Sequence, residues 1–210
     1  PAFKINWLKV LPIALRAVLY SDCINKFYHA ALVREINKGM AADLRKLYLE
    51  MGAELIEKGK SSELLKHLPF AAEDFNSICR DISLPKVGIV GEIYLKFNSF
   101  ANRNIVDWLA EHHIEVEPPV LIDFFTQAFV NRKAKTNAHL LKRGLTDIAY
   151  RGLYHIVKHE IEKTNKLCST FRHFTPFNDI FHEAKLAERV ITLNAQFGEG
   201  WLLPAEIISY

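Results

Sequence analysis

Along most of the chain the apolar positions recur every three or four residues, the period of a helix with one buried face. Leu15, Val18, Leu19, Ile24, Phe27, Tyr28, Ala31 and Leu32 trace one stripe, and Leu44, Leu47, Tyr48, Met51, Leu55 and Ile56 trace a second. Between them Asn37-Lys-Gly39 is a breaker, with Gly39 suited to the left-handed conformation that ends a helix. Ser61 is a predicted N-cap for a short helix that stops before Pro69, and a further helix fits residues 71–82. Residues 1–12 are apolar but punctuated by Lys9 and Pro12, as in a strand or short helix packed on the body.

The texture changes at Val87-Gly-Ile-Val90, a short β-branched run that predicts a strand buried on both faces. It leads into Gly91-Glu92, then a polar loop with Asn98, Ser99 and Asn102, then Ile105, Val106, Trp108 and Leu109 at helical spacing. Asn98, Ser99 or Asn102 is expected to cap that helix. Ile114-Glu-Val-Glu-Pro118 reads as a second strand. Two strands joined by a crossover helix lie parallel in one sheet, and ligands of such sheets bind beyond the carboxyl ends of the strands. Gly91, Glu92, Asn98 and Asn102 are therefore expected at a binding edge, with an anion at the helix N-terminus near Asn102 as one occupant.

Helical spacing then returns. A Phe-rich helix is expected over 120–131, and Thr146 or Asp147 caps a long one reaching about Thr164, with Ile148, Tyr150, Leu153, Ile156, Val157 and Ile161 inward. Leu186, Val190 and Leu193 mark another over 181–193. Phe197-Gly-Glu-Gly-Trp201 is a Gly-rich turn before a helix near Pro204, a tolerated first-turn position. The pattern predicts an α/β fold: a small, mainly parallel sheet surrounded by many helices, with a helical N-terminal layer. Residues 1–82 form the mainly helical segment and 83–210 the α/β segment, as two parts or one continuous domain.

Composition narrows the function classes. A formal charge of +3, from 27 basic and 24 acidic residues, is too small for a nucleic-acid surface. The densest basic patch, Arg132-Lys-Ala-Lys135 with Lys142-Arg143, reads first as a solvated helix face and second as an anion site. No apolar run approaches the roughly 20 residues of a membrane span. Cys23, Cys79 and Cys168 are odd in number and far apart, which suits buried thiols in a reducing cytoplasm. The chain lacks a starting Met and ends on an apolar stretch, so it is expected to be a piece of something longer.

Few motifs carry chemistry. G-x-x-G at Gly88–Gly91 lacks the third glycine of a dinucleotide fingerprint, and no phosphate-loop motif occurs. Glu92 and Glu199 are each either a carboxylate that holds loop amides or a site residue; the glycines Gly198 and Gly200 let the backbone beside Glu199 pass close to a ligand or another segment. His155 and His159 share a helix face without the H-E-x-x-H pattern, so no metal ligand is assigned.

Three blocks resemble a known family: Pro85-Lys-Val-Gly-Ile-Val-Gly-Glu-Ile-Tyr94 with Asn98-Ser-Phe-Ala-Asn102; Gln196-Phe-Gly-Glu-Gly-Trp-Leu-Leu-Pro-Ala-Glu206; and Val33-Arg-Glu-Ile-Asn-Lys-Gly39. Over about 22–206 the chain is similar to the C-terminal, dehydratase-like region of CoA-substrate-specific enzyme activases. These are related to the activator and component proteins of 2-hydroxyglutaryl-CoA dehydratase, with benzoyl-CoA reductase as a relative. The resemblance implies anaerobic metabolism in which an ATP-driven iron–sulfur activator passes one electron to a dehydratase acting on a CoA thioester. It implies ATP and an iron–sulfur cluster for the parent system, and an actin-like activator module and dehydratase components as partners. This piece has neither the phosphate loops nor the cysteine motifs, so it is expected to carry no cofactor and to be inactive by itself. Its expected role is a CoA-thioester or partner-docking surface built from Gly91, Glu92, Asn98, Asn102, Gly198 and Glu199. The competing expectation is a structural or protein-interaction module with no small-molecule site.

Overall fold

Helix α1 (Trp7–Leu32) continues past Pro12, in the computed structural model that describes residues 6–209. Pro12 lacks the N–H that would reach the Leu8 carbonyl, but this turn is exposed and the carbonyl can be solvated. The expected punctuated opening is thus helical from Trp7; its first five residues lie outside the described ones. The chain is a helix-rich α/β protein with a small two-stranded parallel sheet. It divides into two units, one comprising residues up to Ile82 with Lys163–Pro176, the other Ser83–Glu162 with the residues from Phe177 onward.

The first unit packs α1 against α2 (Met40–Glu57), a 3₁₀ segment at Ser61–His67 and α3 (Leu68–Ile78). Ser61 is the first residue of the 3₁₀ segment, not its cap, and Pro69 stands in the first turn of α3, where its missing N–H has no helical partner to lose. Leu19, Cys23, Ile24 and Phe27 are fully buried along α1. The Phe27 ring lies 4.9 Å from Phe171 and 5.7 Å from Phe75, an aromatic centre for the unit. The Tyr20 hydroxyl donates to the Tyr48 carbonyl at 2.8 Å and Tyr48 donates to Asp74 at 2.6 Å. Gly39 does adopt positive φ, but at the start of α2, because α1 already ends at Leu32. Glu35 takes over the capping of α2, accepting from the Gly39 and Ala41 amides at 2.8 and 2.9 Å.

In the second unit β1 (Lys86–Gly88) pairs in parallel with β2 (Glu115–Glu117), Val87 opposite Val116. Two helices, α4 (Ile93–Phe97) and α5 (Ile105–Glu111), make the crossover. The expected burial of the first strand on both faces is not found: Lys86 and Val87 are exposed, and Ile89 and Val90 lie beyond the strand. With β2 as its one neighbour among the described residues, β1 is an edge there, and a β-branched run cannot reveal how many strands flank it. β2 is the buried strand, although two of its three residues are acidic. Glu115 and Glu117 share a strand face, and Lys86 pairs with both, at 2.9 and 3.1 Å.

The remaining elements are α6 (Leu121–Asn137), α7 (Leu145–Cys168), α8 (Ile180–Ala187) and α9 (Leu202–Ser209). Trp201 is fully buried in a cluster with Val130, Ile180, Ala184, Leu202 and Ala205, and its indole N–H donates to Asn131 at 2.7 Å. The expected inward stripe of α7 is mostly outward. Val157 is buried, but Ile148 and Ile156 are 60% and 61% exposed. Their spacing is helical, yet no packed neighbour covers that face among the described residues. Val190 is exposed too, because α8 ends at Ala187 and the expected 181–193 helix stops short. Among the described residues no helix is long and apolar enough to cross a membrane.

Candidate functional site

Gly91 and Glu92 follow β1 as expected, and Glu92 is the N-cap of α4. Its carboxylate accepts the Tyr94 amide at 2.8 Å from an exposed position. Gly91 packs against Leu95, whose Cδ2 would lie 3.2 Å from an added Cβ. Neither Asn98, Ser99 nor Asn102 caps α5; Asn104, with φ of 52°, precedes it without a side-chain cap. Asn98 instead accepts the Ala101 amide at 3.0 Å, closing a loop turn. Asn102 donates to the Lys96 carbonyl at 3.4 Å, and its own Oδ1 is buried without a partner.

The residue that organises this region is Lys96, which the sequence pattern did not single out. It lies one turn after Glu92 on α4 and its side chain is only 4% exposed. Its ammonium pairs with Glu199 at 2.7 Å and with Glu206 at 2.8 Å. Glu199 is as deeply buried, and its second oxygen, Oε1, has no partner. Glu206 reaches the cluster from α9, and burial pushes its carboxyl pKa above the ordinary 4.5. Lys96 pulls the other way, while Glu199 and Glu183 add to the rise. Glu183 on α8 is itself buried, accepting from Asn178 at 2.8 Å and from the Ser209 hydroxyl. Two segments distant in sequence, 85–102 and 196–206, therefore meet on one ammonium.

The Gly198–Gly200 turn presents Glu199 to it. Gly198 and Gly200 both have positive φ, at 60° and 38°. A Cβ at Gly198 would meet open space, whereas one at Gly200 would collide with the backbone carbonyl oxygen of Ala195. Gly198→Ala is expected to cost about 1–2 kcal/mol, the ordinary price of a left-handed L-residue, and Gly200→Ala clearly more. Equal urea midpoints for the two variants would contradict this reading of the turn.

Chemically the cluster binds segments together. The Lys96 ammonium is shared by two carboxylates and is no free nucleophile. Glu206 holds its proton more tightly folded than unfolded, so its contribution to stability is fullest below 4.5 and is lost as pH rises through its raised value. The stability advantage of the wild-type chain over Glu206→Gln is expected to shrink from pH 4.5 towards 7, measured by urea unfolding across that range. An advantage that grows with pH would count against it.

Cys23, Cys79 and Cys168 are all buried free thiols of the first unit. Burial raises the Cys23 pKa, and a hydrogen bond with Cys168 raises it further. His155 and His159 are exposed on α7. Among the described residues no three of His, Cys, Asp and Glu converge as a metal site. Comparison with protein-family models, with curated proteins and with solved structures finds no match for this chain.

Proposed function

We propose that this chain is a docking domain of a 2-hydroxyacyl-CoA dehydratase activase-related protein, offering a partner or CoA-thioester surface to an iron–sulfur electron-transfer system. The observation that carries the reading is the Lys96 cluster. It ties Glu199 and Glu206 of one resembling block to α4 of another through buried ion pairs. Glu199 and Glu206, 103 and 110 positions away from Lys96, are both tied to its ammonium, which suits a platform that holds distant segments together.

The same two segments display aromatic rings outward. Tyr94 and Phe97 stand exposed on α4, and Phe100 and Phe197 are 88% and 97% exposed. Aromatic side chains at this exposure are the residues that anchor protein interfaces. This favours the partner-docking form, with a dehydratase component as partner. ATP and the cluster belong to other parts of the system in this reading.

The test is binding of an immobilised chain to a purified 2-hydroxyacyl-CoA dehydratase component. Phe100→Ser with Phe197→Ser should weaken binding at least tenfold while leaving the melting temperature unchanged. A parallel hydrogen-exchange experiment with millimolar CoA ester reads protection of residues 91–102 and 196–200. Protection there would support the thioester form. No component binding and no protection would remove the proposal.

A further inference from the structure

A second region of the Ser83–Glu162 unit, on different helices, has the construction of a ligand site. Between α6 and α7 lies a cleft of about 750 Å³, within the size range of small-molecule sites. Arg132, Lys133, Arg143 and Arg151 line it against a single carboxylate, Asp147. The basic run that reads as a solvated helix face is therefore folded, in part, into a concavity.

Two of the cations, Arg132 and Lys133, are held in place by neighbouring side chains. Asp147 accepts from Arg132 Nε at 2.8 Å and from the Gly144 amide at 2.8 Å, which fixes the turn into α7. The Arg132 guanidinium also lies 4.8 Å from the centre of the Tyr150 ring, so it is held from two sides. Lys133 sits 4.7 Å from the Phe181 ring centre. Arg143 has neither an ion pair nor a hydrogen bond among the described residues. Thr136, on α6 one turn after Arg132, lines the same cleft, and its buried hydroxyl has no partner. Its residue is 9% exposed. A buried hydroxyl without a partner is costly, and here it stands beside an excess of positive charge and a wall of Phe129, Tyr150 and Tyr154 rings.

We infer that this cleft binds a phosphorylated ligand carrying a flat ring, of the nucleoside-phosphate class. The phosphate oxygens take the guanidinium groups of Arg132 and Arg143 and accept from the Thr136 hydroxyl. Charge-assisted bonds of this kind are the strong ones. The ring lies against the aromatic wall. Asp147 positions Arg132 and leaves its terminal nitrogens to face the anion. This inference stands apart from the docking reading, which concerns α4 and the Gly198–Gly200 turn.

Calorimetric titration with ADP, pyrophosphate and adenosine as separate probes tests it. ADP is expected to bind, and pyrophosphate and adenosine each at least tenfold more weakly. Thr136→Val should raise the ADP dissociation constant about tenfold with no loss of melting temperature, since the hydroxyl has no partner in the free protein. Arg143→Glu with Arg151→Glu, both exposed, should raise it on the order of a hundredfold. Absence of ADP binding at millimolar concentration would overturn the site. Equal affinity for pyrophosphate and ADP would overturn the ring subsite and the ligand class with it. An unaltered affinity in both variants would place any ADP binding elsewhere and equally overturn the inference.

Discussion

Replacing Lys96 by Met is expected to destabilise the protein by about 3–5 kcal/mol, because it leaves the buried carboxylates of Glu199 and Glu206 without their cation. The loss comes less from the missing attraction than from the stranded charge. Without Lys96, the burial that raises the Glu206 carboxyl pKa acts with no cation to oppose it, so that group favours its protonated form further. The penalty should then be largest near pH 7 and smaller at pH 5, since stability from such groups is present at low pH and lost as pH rises. Removing the whole set separates this from simple packing loss. Lys96→Met with Glu199→Gln and Glu206→Gln should recover a large part of the stability, as replacement of entire buried ion clusters commonly does. Urea denaturation of the single and triple variants at the two pH values measures it. A single-variant cost below 1 kcal/mol, or no pH dependence, would mean that Lys96 is solvated and the cluster does not organise the site.

Trp201→Ala is expected to cost a similar amount, about 3–5 kcal/mol, from the lost apolar burial and the cavity left behind. Trp201 is fully buried where α6, α8 and α9 converge on Val130, Ile180, Ala184 and Ala205. The indole N–H also satisfies Asn131 at 2.7 Å, and the variant leaves that amide oxygen unpaired. Trp201→Phe keeps most of the volume but loses the hydrogen bond, so it should fall between wild type and Trp201→Ala. Thermal unfolding followed by far-UV circular dichroism gives both values. If the two substitutions cost the same, the hydrogen bond and not the volume dominates at this position. Trp201 also directly follows the Gly198–Gly200 turn that presents Glu199 to Lys96.

Much of the candidate site was legible in outline. Gly198–Gly200 was recognisable from its glycines, and positive φ at both is what the backbone requires there. Glu199 was singled out for its odd position between them, and it does lie at the buried cluster. Glu92 was equally conspicuous, but it caps α4 from an exposed position. The two carboxylates look alike in sequence because burial depends on neighbours that are distant along the chain. Lys96 had no local signal at all. A lysine on a short helix is ordinarily a solvated residue, and the partners that make this one different are supplied by α9 and the turn before it.

The sequence by itself determined the helical character of most of the chain, the parallel pairing around the central crossover, and the turns at Gly39 and Gly198–Gly200. These follow from period and from backbone restrictions that act within a few residues. Only the tertiary structure decided which faces are covered. It left Val87, Ile148 and Ile156 open where an apolar pattern predicted burial, and it buried Lys96, Glu115 and Glu117 where charge predicted solvent. Apolar spacing records which face of an element prefers to be covered, whereas covering it, or pairing a charge taken out of water, requires a neighbour that only the folded chain brings within reach.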